Sequence, residues 1–353
     1  MGKIVSERII MTVRESYIDR FFTCLRGACP DSCCRGWTVV IDSAAAARFR
    51  TIANPELKTV ADHLTVDADG DCIFVPRADG SCPMWDKDGL CRLYRQCGES
   101  VLAETCRRYP RLYEIYGGVR EVAMDASCPA VFDLLYETDA PFSYTEYTDN
   151  ALPEPHDIDP DKYRALLSLR TEMWRRLNGD KPFFSVVCNI LANVRAWQNR
   201  QKERSAIAAK NVTLRPERVL RQWGGFLQEL EILNKKWKRK ITFLQNFRGN
   251  IQKKSLPKDA DRFYRRYLSM LIFQYFLRAV NDGRAVEMLK VPLFFTTVLM
   301  ALTPGGERDL LKENCLLMTR ELAHSEQNLA AICAAMHRRR IFDDNHFIAL
   351  WGT

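Results

Sequence analysis

The chain has 353 residues, 47% of them hydrophobic and 27% charged, with a formal net charge of +8. This is the composition of a soluble globular protein large enough for two domains. Met1–Phe22 has no uninterrupted apolar run of the kind a secretory signal carries, and the longest largely apolar segment, Val291–Leu302, is too short to span a bilayer. Secreted and membrane-spanning classes are thereby set aside, and the reading is a cytoplasmic protein.

The charge is unevenly divided. Residues 1–150 hold 17 Lys and Arg against 23 Asp and Glu, whereas residues 151–353 hold 35 against 21. The second half therefore attracts anionic partners, whether an acidic protein, a phosphate-rich ligand, a membrane surface or nucleic acid.

At the start, Met1-Gly2 with Ser6 formally fits a myristoylation signal, a match short enough to arise by chance. Ten of the 13 cysteines then fall within residues 1–128: Cys24, Cys29, Cys33, Cys34, Cys72, Cys82, Cys91, Cys97, Cys106 and Cys128. The turn sequences Asp67–Asp71, Ala78–Gly80 and Lys87–Gly89 each adjoin a cysteine, as expected where loops present ligands. Asp67–Asp71 lacks the spacing and terminal glutamate of an EF-hand and reads as a plain turn. In a reducing compartment, clustered cysteines read as metal or catalytic sites and not as disulfides. Thiolates select zinc or iron–sulfur clusters. Four can hold one such centre, so ten exceed the need of a single site. The spacing is neither the paired Cys-x2-Cys of a zinc finger nor the Cys-x3-Cys-x2-Cys loop of radical S-adenosylmethionine (SAM) enzymes. The competing reading, that these are buried small hydrophobes, suits any single cysteine better than the set.

Ala140–Pro160 is rich in proline and acidic residues and reads as a linker. Beyond it, apolar residues recur at helical spacing over Lys162–Asn178, Phe183–Gln201, Pro216–Leu233, Arg262–Asn281 and Arg284–Leu302. Strand-like alternation is weak throughout. The expectation is a mainly α protein: an irregular cysteine-rich metal-binding domain over residues 1–145, then a basic all-helical domain over 155–353. Lys235–Lys240 opens a basic amphipathic segment, residues 235–254, with Trp237, Ile241, Leu244, Phe247 and Ile251 near helical spacing. Such a helix can lie peripherally on an anionic membrane or dock an acidic partner. Nucleic acid ranks last, since no helix-turn-helix signature is evident. His63, His156, His324, His337 and His346 are scattered and read as structural or exposed.

The cysteines also carry a resemblance. Cys29-x3-Cys33-Cys34, Cys82-Pro83, Cys91-x2-Tyr94 and Cys106-x2-Tyr109-Pro110 resemble the pattern of a family of cysteine-rich proteins described as zinc- or iron-chelating. The added Cys24, the Cys33-Cys34-Arg-Gly-Trp37 run and the helical C-terminal extension resemble its enzyme branch, the flagellin lysine-N-methylases. The motif covers residues 20–130. The resemblance implies a 4Fe–4S cluster, with zinc as the alternative, SAM as methyl donor, and the ε-amino groups of flagellin lysines as acceptors. By match to the broad pattern the metal-ligand pool is Cys29, Cys33, Cys34, Cys82, Cys91 and Cys106, with Cys24, Cys97 and Cys128 in reserve. It assigns no catalytic and no SAM-binding residue.

A Rossmann-type fingerprint is missing: Gly117-Gly118, Gly224-Gly225 and Gly305-Gly306 are isolated pairs. A cluster-assisted route is therefore favoured over ordinary displacement. Trp37, Trp85, Tyr94, Tyr109 and Tyr113 lie near the cysteines in sequence and could wall a methylated cation, although core packing is the commoner role of such rings. Asp86, Asp88 and Glu104 are candidate proton acceptors, and Arg107, Arg108 and Arg111 candidate partners for an anionic cluster. The competing function is a non-enzymatic zinc- or iron-binding module or carrier.

Overall fold

The computed structural model describes residues 11–68, 70–149, 157–201, 214–248 and 256–351. The Met1–Ser6 signal, His156 and the end of the basic segment lie outside them. Among the described residues six strands form: β1 (Met11–Ser16), β2 (Leu64–Val66), β3 (Cys72–Phe74), β4 (Arg111–Tyr116), β5 (Val119–Met124) and β6 (Tyr144–Asp149). The larger sheet runs in the order β4-β5-β1-β6, and β2 pairs with β3. β4 and β5 are antiparallel, with Tyr116 opposite Val119. The two residues between them are Gly117-Gly118, and Gly117 takes φ +60°, as a two-residue hairpin turn demands. β1 runs parallel to β5 and antiparallel to β6.

The cysteine-rich third is thus less irregular than its turn signals suggest: it contains a small mixed sheet. Part of the stretch read as a linker supplies strand β6, where Tyr and Thr alternate with acidic residues, a sequence that suits a half-buried edge. Short helices complete this part: α1 (Tyr17–Phe21), α2 (Ser43–Arg50), α3 (Arg92–Cys97), α4 (Glu104–Arg108) and α5 (Pro129–Glu137).

The rest is helical, as its periodicity predicts. The elements are α6 (Pro160–Leu177), α7 (Phe183–Gln201), α8 (Pro216–Glu229), α9 (Lys235–Gln245), α10 (Lys258–Tyr275), α11 (Ala285–Leu302), α12 (Arg308–Ala323), α13 (Glu326–Arg338) and α14 (Asp344–Trp351). The mainly α expectation therefore holds for the chain as a whole. Helix α11 is long and apolar enough to cross a membrane, extending the run read from Val291 back to Ala285. Within the fold, however, 94% of it is buried, the setting of a core helix.

Two apolar clusters organise the molecule. The larger gathers Ile18, Met124, Val131 and Phe132 with the long helices, through Phe263, Phe294 and Trp351. The smaller holds Val39, Ile41, Phe49, Phe74, Met84, Leu93 and Leu102, with Cys72, Cys82, Cys91 and Cys97 packed against it. A bidentate ion pair, Arg170 to Glu121, fastens α6 to the sheet, both side chains being buried.

The basic helix α9 turns Trp237, Ile241 and Leu244 into the larger cluster. Its apolar face is therefore occupied, which removes the surface a membrane-inserting helix would use. Lys235, Lys236, Lys238 and Arg239 stay exposed beside Phe243.

Candidate metal centre

Between the two apolar clusters lies a cavity of about 330 Å³. Val39, Phe49, Phe74 and Leu93 come from the smaller cluster, and Cys128 and Ala130 from the larger. Eight thiols line it: Cys24, Cys29, Cys33, Cys34, Cys82, Cys91, Cys106 and Cys128. All six residues of the sequence-derived ligand pool are thus brought to one cavity, joined by Cys24 and Cys128. Cys97 instead packs against the smaller cluster, as does Cys72.

Backbone pairing explains the convergence. The Cys82 amide donates to the Cys34 carbonyl at 2.7 Å, and Arg35 bridges Ser81, so loops 33–36 and 80–82 run together. Trp85 bridges Cys91 across the tight turn at Gly89. Arg77 donates to the carbonyls of Trp85 and Pro83, holding the Cys82-Pro83-Met84-Trp85 loop. The Cys24–Cys29 loop then lies against that turn so closely that a Cβ on Gly27 would come within 2.7 Å of the Asp88 carbonyl oxygen. Asp42 caps α2 through the Ala45 amide, and its other oxygen accepts from the Glu104 amide at 2.7 Å, which fixes the helix that carries Cys106.

Burial, together with neighbouring thiols, sets how these cysteines titrate. A hydrogen bond from Cys33 holds the Cys34 thiol down at about 7 against the effect of its burial, with help from Ser32. The same hydrogen bond, then burial, drives Cys33 well above the ordinary thiol range. Burial pushes Cys82 up to about 12, with Cys34 and Cys91 adding to it. Cys106 is raised by burial and then by Cys34, Cys82 and Cys91, and Cys91 by burial, with Cys34 adding to it. Among the described residues, no three His, Cys, Asp or Glu side chains stand close enough together to hold one metal ion. The thiols are spread over the cavity wall. Eight thiols on a largely apolar wall, with Asp31 and Glu99 also in the lining, offer the chemistry of soft-metal ligation.

A stretch of 126 residues, 34% of the chain, is similar to known proteins. It is 30% identical to the lysine-N-methylases of Salmonella choleraesuis and Salmonella typhimurium, and 29% identical to the flagellar biosynthetic protein FliU of Salmonella muenchen. The chain shares distant, partial homology with these proteins. The match spans 31% of the length of each lysine-N-methylase and 75% of FliU. No family model matches the chain, and no solved structure matches it.

The carboxylates put forward as proton acceptors are tied up at the surface. Asp86 faces Arg92 and Arg95, Asp88 pairs with Arg95, and Glu104 with Arg107 and Arg108. Of the flanking aromatics, Trp37, Tyr94 and Tyr109 line the cavity. Arg107 and Arg111 do so too, as does Arg26.

Sequence reasoning passed over Asp31, Asp125, Ser127 and Arg320 near this wall, and read His324 only as structural or exposed. Arg320 and His324 stand one turn apart on α12 and reach the cysteine loop from the far end of the chain. Arg320 pairs with Asp31 at 2.8 Å. The Nε2 atom of His324 lies 2.8 Å from Asp125 and 3.1 Å from the Ser127 hydroxyl, and its ring packs on Trp37. The i, i+4 spacing of Arg320 and His324 was the available signal, together with the Asp125-x-Ser127 turn just before Cys128.

Proposed function

We propose that this protein is a SAM-dependent protein-lysine N-methyltransferase acting on flagellin, with a cysteine-ligated iron–sulfur centre in the thiol-lined cavity. The observation that carries the reading is the 126-residue similarity to two proteins named lysine-N-methylase. The thiol-lined cavity accords with it. Thiols distributed over a space of about 330 Å³ suit a centre of several atoms better than a single zinc ion closed on a point.

Cys34, Cys82, Cys91 and Cys106 all line the cavity and form the ligand set of this reading. When bound, such a cluster would be held by these thiols and would supply redox chemistry beside the methyl donor. The chain's own residues then have three tasks. Val39, Phe49, Phe74 and Leu93 exclude water from the cavity. Arg26, Arg107 and Arg111 offset anionic charge in its wall. The exposed cations of α9 give a platform for an acidic protein substrate. A cytoplasmic location accompanies this reading, because free thiols persist there.

The decisive experiment incubates anaerobically purified protein with methyl-labelled SAM and flagellin. The expected result is label on flagellin lysine side chains. Unlabelled flagellin, with the cluster shown intact by its absorbance, overturns the reading.

A further inference from the structure

Three rings meet at one wall of the cavity. Trp37 and Tyr109 both line it, their centroids 5.3 Å apart and their planes inclined at 51°. His324 contacts both, at 4.8 Å from Trp37 and 6.3 Å from Tyr109. Each ring is held by a hydrogen bond. The Trp37 indole N–H donates to the Cys33 carbonyl, the Tyr109 hydroxyl pairs with Ser127 at 2.9 Å, and His324 pairs with Asp125. Asp125 is buried, yet its carboxyl stays below the ordinary range. Burial pushes it up, but the charge and hydrogen bond of His324 and the Ser127 amide outweigh that. The Asp125–His324 pair therefore backs an aromatic corner.

The neighbouring aromatics differ in one respect. The Tyr94 ring carries the Arg26 guanidinium at 5.6 Å, and the Tyr113 ring carries Arg108 at 4.8 Å. Among the described residues, no lysine or arginine lies over Trp37 or Tyr109, where the His324 ring packs instead. Two π faces, fixed by their hydrogen bonds at the wall of a cavity, form a receptor for an organic cation.

We propose that the Trp37–Tyr109 corner is the acceptor subsite, taking an alkylammonium group: the ε-ammonium of a peptide lysine or its methylated forms. This deepens the methyltransferase reading and rests on it for the identity of the ligand. Trp37 and Tyr109 touch the cation, and His324, held by Asp125, is a positioning residue that packs on Trp37 and fixes its plane. The indole hydrogen bond to Cys33 ties this subsite to the thiol loop.

The test measures binding first, with no methyl donor present. Full-length protein is titrated calorimetrically with a short peptide containing trimethyl-lysine, and with the same peptide carrying the neutral isostere in which carbon replaces the ammonium nitrogen. The expected result is about tenfold tighter binding of the cation, from the usual strength of a desolvated cation–π contact. Trp37→Leu removes that preference, and Tyr109→Phe, which keeps the ring, retains it. Equal affinity for the two peptides in the unaltered protein overturns the proposal without relying on any variant. So does an unchanged preference in folded Trp37→Leu protein. In the flagellin assay, Trp37→Leu is expected to raise KM more than it lowers kcat, and an unchanged KM counts against the subsite while leaving the methyltransferase reading intact. Conversely, selective cation binding without methyl transfer upholds the subsite and sinks the reaction.

Discussion

Nε2 of His324 and Oδ2 of Asp125 lie 2.8 Å apart, joining the C-terminal cap of α12 to the loop after β5 across 199 positions of sequence. Both side chains are buried. Because the Asp125 carboxyl is held below its ordinary value, its contribution to stability is full at neutral pH. It is lost as pH falls through the carboxylate range. Asp125→Asn is expected to cost roughly 3 to 5 kcal/mol at pH 7, the usual effect of breaking a buried pair. The gap from the unaltered protein should close in strong acid, and urea midpoints at pH 7 and in acid would check this.

Glu321 has the opposite sign. Burial pushes its carboxyl up to about 7, against the hydrogen bonds of the Leu233 and Asn234 amides, and Glu231 raises it further. The folded state thus binds this proton more tightly than the unfolded state. Its effect on stability is absent at low pH, and stability falls as pH rises from the carboxylate range through about 7. Glu321→Gln keeps an acceptor for Leu233, and it should stabilise the fold by roughly 3 kcal/mol at most at alkaline pH, with little gain in acid. Melting temperatures across that range would show a flatter profile for the variant.

Gly27 and Gly89 meet where the first cysteine loop crosses the turn before Cys91. A methyl on Gly27 would sit 2.7 Å from a backbone oxygen, and Gly89 takes φ +78° with the Gly27 carbonyl 3.0 Å from its own would-be Cβ. Gly27→Ala should destabilise by about 1 to 3 kcal/mol through overpacking, and Gly89→Ala by about 1 to 2 kcal/mol through its left-handed backbone. Both should lower metal retention more than a glycine change far away, such as Gly283→Ala. Iron content after desalting reports it.

Serine replacements divide the cysteines. Cys34→Ser, Cys82→Ser, Cys91→Ser and Cys106→Ser are expected to remove most of the absorbance near 400 nm in anaerobic preparations. Cys72→Ser and Cys97→Ser, which pack against the smaller apolar cluster, should leave it in place. Equal loss across both groups would refute the assignment.

The basic face of α9 adjoins a groove formed with Leu302, Pro304 and Leu310. Reversing charge at Lys236 and Arg239 should weaken flagellin binding several-fold at low salt, with the difference shrinking as salt rises. Both side chains are exposed, so the melting temperature should change little.

Helical periodicity located the long helices closely: α7 spans the residues its apolar spacing marks, and α11 ends at Leu302 as expected. The hairpin was misread because Gly117-Gly118 was weighed only as a nucleotide-binding glycine pair, while the alternation around it is partly hidden by Glu114 and Glu121, whose partners lie in α6 and beyond. Glu121 meets Arg170, and Glu114 meets Arg278. Charges that look solvent-facing in one strand are satisfied by helices far along the chain. That the thiols share one cavity was legible from their clustering, although among the described residues no three of them close on a common point. The wall behind Trp37 was not, because it depends on contacts such as that of Asp31 with Arg320, which no local pattern announces.

Arg320 and His324 carry a consequence for how this molecule can be dissected. A fragment ending after α5 would keep every thiol of the cavity, yet Asp31 would lose its guanidinium partner and Trp37 its backing ring. The cysteine-rich third is not a portable cartridge. Grafted elsewhere without the last helices, it would expose the indole to solvent and loosen the loop that presents Cys33 and Cys34.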